Sequence, residues 1–178
     1  MKNILAIIGS ASANSSSHKL ADFIQNETRD AFRITVFDTL KSLPHFDPAL
    51  SDVNTPKEII DFRKQVETAD GILMSTPEYI FSIPSGLKNA IEWCVSTTVF
   101  SHKPLGIITA SAQGEKGHAE LQLIMKTVMA NFTPETTLLI QGVKGKVNKD
   151  NTVIEEETKY AIKKFIAAYI ELMNTDNR

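Results

Sequence analysis

Five short apolar runs, separated by segments of helical periodicity, constrain this 178-residue chain more than any other feature. They fall at residues 4–8, 34–37, 71–75, 104–110 and 137–140. Each has the length of a buried strand and is bounded by turn-forming residues. Between and after them, apolar residues recur at steps of three and four. The stripes are Leu20, Phe23 and Ile24; Ile59, Phe62, Val66 and Ala69; Leu87, Ile91 and Val95; Leu121, Ile124, Met125, Val128 and Phe132; and Ile162, Phe165, Ile166, Tyr169 and Leu172. Such stripes are the buried faces of helices. Strands alternating with helices predict a parallel sheet, helices on both faces and right-handed crossovers. Five strands suit the order 2-1-3-4-5 better than the six-stranded dinucleotide arrangement. The expected architecture is therefore α/β, three layers, in a single domain over 1–178, since no shift of composition marks a boundary.

Local signals place some helix starts. The first helix is expected from about Ser16. Thr55, Pro56 and Glu58 read as an N-cap, a first-turn proline and a capping box. The run Glu155-Glu156-Glu157 is expected to charge the first turn of the last helix, favourably with its dipole.

Bulk properties exclude several classes. A net charge of −2 points to no nucleic-acid partner. No apolar run is long enough to span a bilayer, and residues 4–8 are too short for a signal-peptide core. The single cysteine, Cys94, forbids an internal disulfide and is expected to be a small buried residue. A cytoplasmic protein is the expectation. His18, His45, His102 and His118 show no metal-ligand spacing, so no metal is expected.

Three loops at the carboxyl ends of strands carry the chemistry. The first, residues 9–17, reads Gly-Ser-Ala-Ser-Ala-Asn-Ser-Ser-Ser. It leads into a helix N-terminus, whose free N–H groups suit a phosphate. It has neither Gly-Lys-Ser/Thr nor Gly-x-Gly-x-x-Gly. The second, residues 76–84, is stiffened by Pro77 and Pro84 and carries Tyr79 and Phe81 as faces for a planar ring. Lys88 and Glu92, one turn apart on the helix that follows, read as a solvated pair. The third, residues 110–117, has Gly114 and Gly117 for close backbone approach. In a 2-1-3-4-5 sheet these loops meet at the switch point, a place for a mononucleotide with a flat headgroup.

Thr76-Pro77-Glu78-Tyr79, Ser82, Pro84 and the run 87–93 (Leu-Lys-Asn-Ala-Ile-Glu-Trp) make the chain resemble the NAD(P)H-dependent FMN reductases of the flavodoxin-like fold. Gly9, Ser10 and Ser15, together with Leu20-Ala21, Ala69-Asp70-Gly71 and Ala110-Ser111, extend the likeness from Ile4 to about Phe165. The resemblance implies an oxidoreductase. It would pass electrons from NADPH (or NADH) through FMN to a small-molecule electron acceptor such as a quinone, an azo compound or free flavin. It implies cofactor contacts from Ser10, Ser12, Ser15, Ser17, Pro77, Glu78, Tyr79, Ile80, Ser111, Gln113 and Gly114, with no catalytic side chain, and a homodimer or homotetramer in which Phe81, Trp93 and Phe100 are interface rings. A flavodoxin-type electron carrier, or a relative with weakened flavin binding, are the alternatives.

The chain departs from the family at several positions. Ser12 stands where the family has Arg, Ser17 and Ile80 where it has Asn, Ser85 where it has Gly, His118 within a Gly-Gly pair, and Glu120 at an Arg position. Loss of the Arg predicts FMN binding roughly ten- to a hundred-fold weaker, unless Ser hydroxyls or Lys19 compensate.

Overall fold

The computed structural model describes residues 1–147 and 155–175. In chain order the elements are β1 (Lys2–Ile8), α1 (Ser16–Glu27), β2 (Phe32–Phe37), α2 (Lys57–Thr68), β3 (Gly71–Thr76), α3 (Ser85–Glu92), β4 (Leu105–Ser111), α4 (Glu115–Thr127), β5 (Thr137–Gln141) and α5 (Glu156–Thr175). Among the described residues the four strand pairings are all parallel, in the order β2-β1-β3-β4-β5. This is the flavodoxin-like arrangement expected from the apolar runs.

Strand alternation sends side chains to two faces. Leu5, Ile7, Ile72, Met74, Leu105 and Ile107 join the buried stripes of α2, α3 and α4 in one core. Ile4, Ala6, Leu73, Ile108, Ala110 and Ile140 join those of α1 and α5 in the other. Strand β3, at the centre of the sheet, is buried along its whole length. Tyr169 donates to the carbonyl of Ile72 at 2.8 Å, tying α5 to that strand.

Several local expectations need correction. Thr55 does not cap α2: Pro56 is the N-cap residue, and Thr55 Oγ1 instead donates back to the carbonyls of Leu50 and Ser51. Helix α3 ends at Glu92, so Val95 falls outside its buried stripe and is exposed. Helix α4 ends at Thr127, where Met129 turns to positive φ, so Phe132 lies beyond it. Lys88 faces Glu120 of α4 at 4.0 Å rather than Glu92. Trp93 and Phe100 are core residues, not interface rings. Glu156 and Glu157 occupy the first turn of α5, with Glu155 just before it. Cys94 is buried as expected, and burial pushes its thiol up to about 12.

The long segment between β2 and α2 is firmly held. Asn89 donates to the carbonyl of Pro44 (2.9 Å) and accepts from the N–H of Phe46 (2.8 Å). Trp93 Nε1 donates to the same Pro44 carbonyl at 2.8 Å. Arg63 bridges the carbonyls of Trp93 and Ser51. The Leu-Lys-Asn-Ala-Ile-Glu-Trp run thus clamps a loop more than forty residues earlier.

Candidate functional site

Register brings the strand ends together. Ile7 of β1 lies beside Phe37 of β2, Ile8 beside Ser75 of β3, and Thr76 beside Thr109 of β4. The chain therefore leaves β1, β2, β3 and β4 on one edge of the sheet. At Gly9 the backbone donates to the carbonyl of Ser75 at 2.8 Å. A Cβ there would sit 2.3 Å from Thr76 Oγ1, so only glycine fits this exit.

The first loop ends at Ser15, the N-cap of α1, whose hydroxyl accepts from the N–H of His18. The first-turn N–H groups of Ser16 and Ser17 have no intrahelical acceptor. Ser10 Oγ accepts from the N–H of Ser12 and is hydrogen-bonded to Tyr79 Oη at 3.2 Å. Ser17 differs from expectation. Its hydroxyl is buried without a partner among the described residues, and its carbonyl accepts from Ser75 Oγ at 2.8 Å. Only its backbone N–H is placed to serve a ligand at the helix start.

Two adjacent residues join the three loops. Tyr79 reaches the first loop through Ser10. Glu78 accepts from the N–H groups of Gly114 (3.2 Å) and Gly117 (2.7 Å) at the start of α4. The Gly114 N–H, expected to face a cofactor, is hydrogen-bonded to Glu78 in this arrangement. A carboxylate at a helix N-terminus is also favoured by the dipole.

Past Tyr79 the chain reverses. Tyr79 and Ser82 exchange backbone hydrogen bonds at 2.9 and 3.1 Å, with Ile80 and Phe81 between them at φ 52° and 59°. Positive φ at both central residues is the pattern of a type I′ turn, which favours Asn-Gly. A β-branched residue there is strained. Glu120 holds the turn, accepting from Ser82 Oγ (2.6 Å) and the N–H of Ile83 (2.9 Å). Ile80 is 95% exposed, so its side chain contributes no packing. Replacing Ile80 with Asn should raise stability by about 1 kcal/mol, read as a higher urea midpoint; a lower midpoint would show that the turn carries no strain.

A cavity of about 490 Å³ opens at this edge. Ser10, Ser12 and Tyr79 line it, as does Pro84 at the entry to α3. So do Asp38, Leu40, Lys41 and His45, from the segment after β2, which carries no local ligand-binding pattern. The 2-1-3-4-5 order contained the missing signal, because β2 beside β1 must deliver its exit next to the first loop. Ser15, Ser17, Pro77, Glu78, Ile80, Ser111, Gln113 and Gly114 do not line the cavity. Ser111 lies beyond Glu78, its hydroxyl 3.5 Å from the Glu78 carbonyl. His118 is hydrogen-bonded to Thr109 Oγ1 at 2.8 Å, and burial lowers its pKa below the ordinary 6.5. Among the described residues no cluster of His, Cys, Asp and Glu could hold a metal, and no helix is long and apolar enough to cross a membrane.

Comparison with known proteins identifies the family and agrees with the fold. Residues 2–143 match the model of the NADPH-dependent FMN reductase family. The NADH:(hydroxy)cinnamate reductase subunit CrdA of Vibrio ruber is 29% identical over 161 residues, covering 86% of this chain and 78% of that protein. The NADH-dependent flavin reductase subunit 2 of Lactobacillus johnsonii is 28% identical over 171 residues, covering 89% and 90%. Among solved structures, FerB, a flavoenzyme NAD(P)H:(acceptor) oxidoreductase from Paracoccus denitrificans, superposes with a TM-score of 0.84 at 24% identity over 99% of both chains, a likeness of fold. On the breadth of the family match, and with the strand-exit loops arranged as described, this chain belongs to the NADPH-dependent FMN reductases.

Proposed function

We propose that the protein is an NAD(P)H-dependent FMN oxidoreductase that delivers electrons to a small acceptor such as a quinone, an azo compound or free flavin. The supporting observation is the cavity at the strand exits, where Ser10, Ser12 and Tyr79 meet beside the start of α1. Its donor set suits FMN: hydroxyls of Ser10, Ser12 and Tyr79, with first-turn N–H groups close by. When bound, FMN supplies the redox chemistry, taking electrons from the nicotinamide and releasing them to the acceptor.

The protein's own residues bind and orient. The N–H groups of Ser16 and Ser17, with the Ser10 and Ser12 hydroxyls, hold the phosphate end. Tyr79 positions the ring, and Glu78 fixes the third loop beside it through Gly114 and Gly117. The flavin contacts of Pro77, Ser111 and Gln113 in this reading fall on that side, outside the cavity lined by Ser10, Ser12 and Tyr79. No side chain is assigned as acid or base. The working unit in this reading is one domain over 1–178, assembled as a homodimer or homotetramer in the cytoplasm.

The test is direct. Purified protein mixed with FMN and NADPH or NADH under air should oxidise the nicotinamide faster than free FMN alone, and should show a bound-flavin visible spectrum. Oxidation no faster than the free-FMN control would reject the reading.

A further inference from the structure

We propose that Lys41 is the counter-cation of the FMN phosphate, replacing from the second strand's exit the charge that the first loop lacks. This rests on the flavin reading above. A phosphate monoester carries about −1.5 to −2 charges at neutral pH. A helix N-terminus offers only about half a positive charge. Residues 9–17 contain no Lys or Arg, so the loop itself leaves most of that charge unanswered.

The cavity supplies a partner from another element. Among the described residues, Lys41 is the one Lys or Arg that lines it, together with Ser10 and Ser12. Lys19, the other cation considered from the sequence, does not line it. The placement follows from register: β2 lies beside β1, so the two exits emerge about 4.8 Å apart. Lys41 follows within four residues, on a single 3-10 turn, Leu40–Ser42. Leu40 of that turn is buried in the core shared by α2, α3 and α4, which fixes the base of the lysine. The ammonium has no hydrogen bond or ion pair among the described residues. Asp38, the acid in the cavity wall, lies 3.9 Å from His18. Lysine serves phosphate as a point charge on a flexible stem, so it can act from across a cavity, where a loop arginine would act from within the loop.

The test measures binding, not turnover. Dissociation constants for FMN and for riboflavin, which lacks the phosphate, are measured by fluorescence quenching with the wild type, Lys41→Gln and Lys41→Arg. Lys41→Gln is expected to weaken FMN about tenfold, to leave riboflavin within roughly twofold, and to flatten the salt dependence of FMN binding. Lys41→Arg should restore FMN. Unchanged FMN affinity in Lys41→Gln overturns the proposal, as does an equal loss for both flavins, which would mark a merely structural role. A Lys41→Gln enzyme whose KM rises for NADPH but not NADH, with FMN affinity unchanged, also overturns it and assigns the cation to the dinucleotide. A wild type that binds neither flavin rejects the flavin reading itself. Wild-type binding with an indifferent Lys41→Gln rejects only the role of Lys41.

Discussion

Replacing Gly9 with alanine is expected to cost about 3 kcal/mol of stability and to weaken FMN binding with it. The added methyl would sit 2.3 Å from Thr76 Oγ1 and 2.6 Å from Thr76 Cβ. Neither atom can yield easily. Thr76 is fully buried, its branched side chain has few rotamers, and its hydroxyl donates to the carbonyl of Pro77 at 3.0 Å. Relief must come from the backbone, by parting the exits of β1 and β3. That separation would break the 2.8 Å bond from the Gly9 N–H to Ser75 and carry Ser10 away from Tyr79. Urea denaturation and FMN titration of the same variant measure both effects. Gly86→Ala is the control: a Cβ there meets only Leu40 Cβ at 3.5 Å, an ordinary contact. It should leave the urea midpoint unchanged or raise it. If Gly9→Ala does the same, the close packing of these two strand exits is wrong.

The second large effect is expected at Asn89. Asn89→Ala leaves the Phe46 N–H without its acceptor and removes one of two donors from the Pro44 carbonyl. A partly buried orphan donor costs about 1–3 kcal/mol, so a loss near 2 kcal/mol is the expected figure. The site is affected twice, because Asn89 itself lines the cavity and also holds the loop beside it. Residues 38–45 form one wall of the cavity, and Asn89 and Trp93 fix their far end. Hydrogen exchange at the Phe46 amide should accelerate more than exchange in β1, and FMN affinity should fall. Uniform acceleration across the sheet would instead indicate global destabilisation without a local role.

The sheet was legible because each strand announced itself by a buried apolar run, and five such runs leave few topologies. Helix ends were less so. Val95 and Phe132 continue their apolar stripes on paper, but the backbone turns after Glu92 and Thr127, and periodicity carries no stop signal there. Thr55 looked like a cap because capping chemistry is local, yet two carbonyls four and five residues earlier captured its hydroxyl. At the site, the serine-rich first loop and the aromatic second loop were marked by position after their strands, and Ser10, Ser12 and Tyr79 line the cavity there. The placement of Ser17 was not legible, since its hydroxyl direction depends on helix phase and on what packs above it. Glu78 holds α4, a role that no local pattern reveals because it depends on Gly114 and Gly117, nearly forty residues away. The wall around Lys41 escaped for the same reason: the clamp that shapes it joins Pro44 to Trp93, and no local pattern encodes it.

Glu78 and Tyr79 are neighbours in the chain and tie down two different loops, one at α4 and the other at the exit of β1. Neither flank can swing without loading the other through a single peptide unit. Much of the disorder that a guest would otherwise have to quench has thus been removed during folding, so docking forfeits little configurational freedom. Fewer or weaker contacts then suffice to hold a guest, and the charge proposed for Lys41 acts on a frame already set.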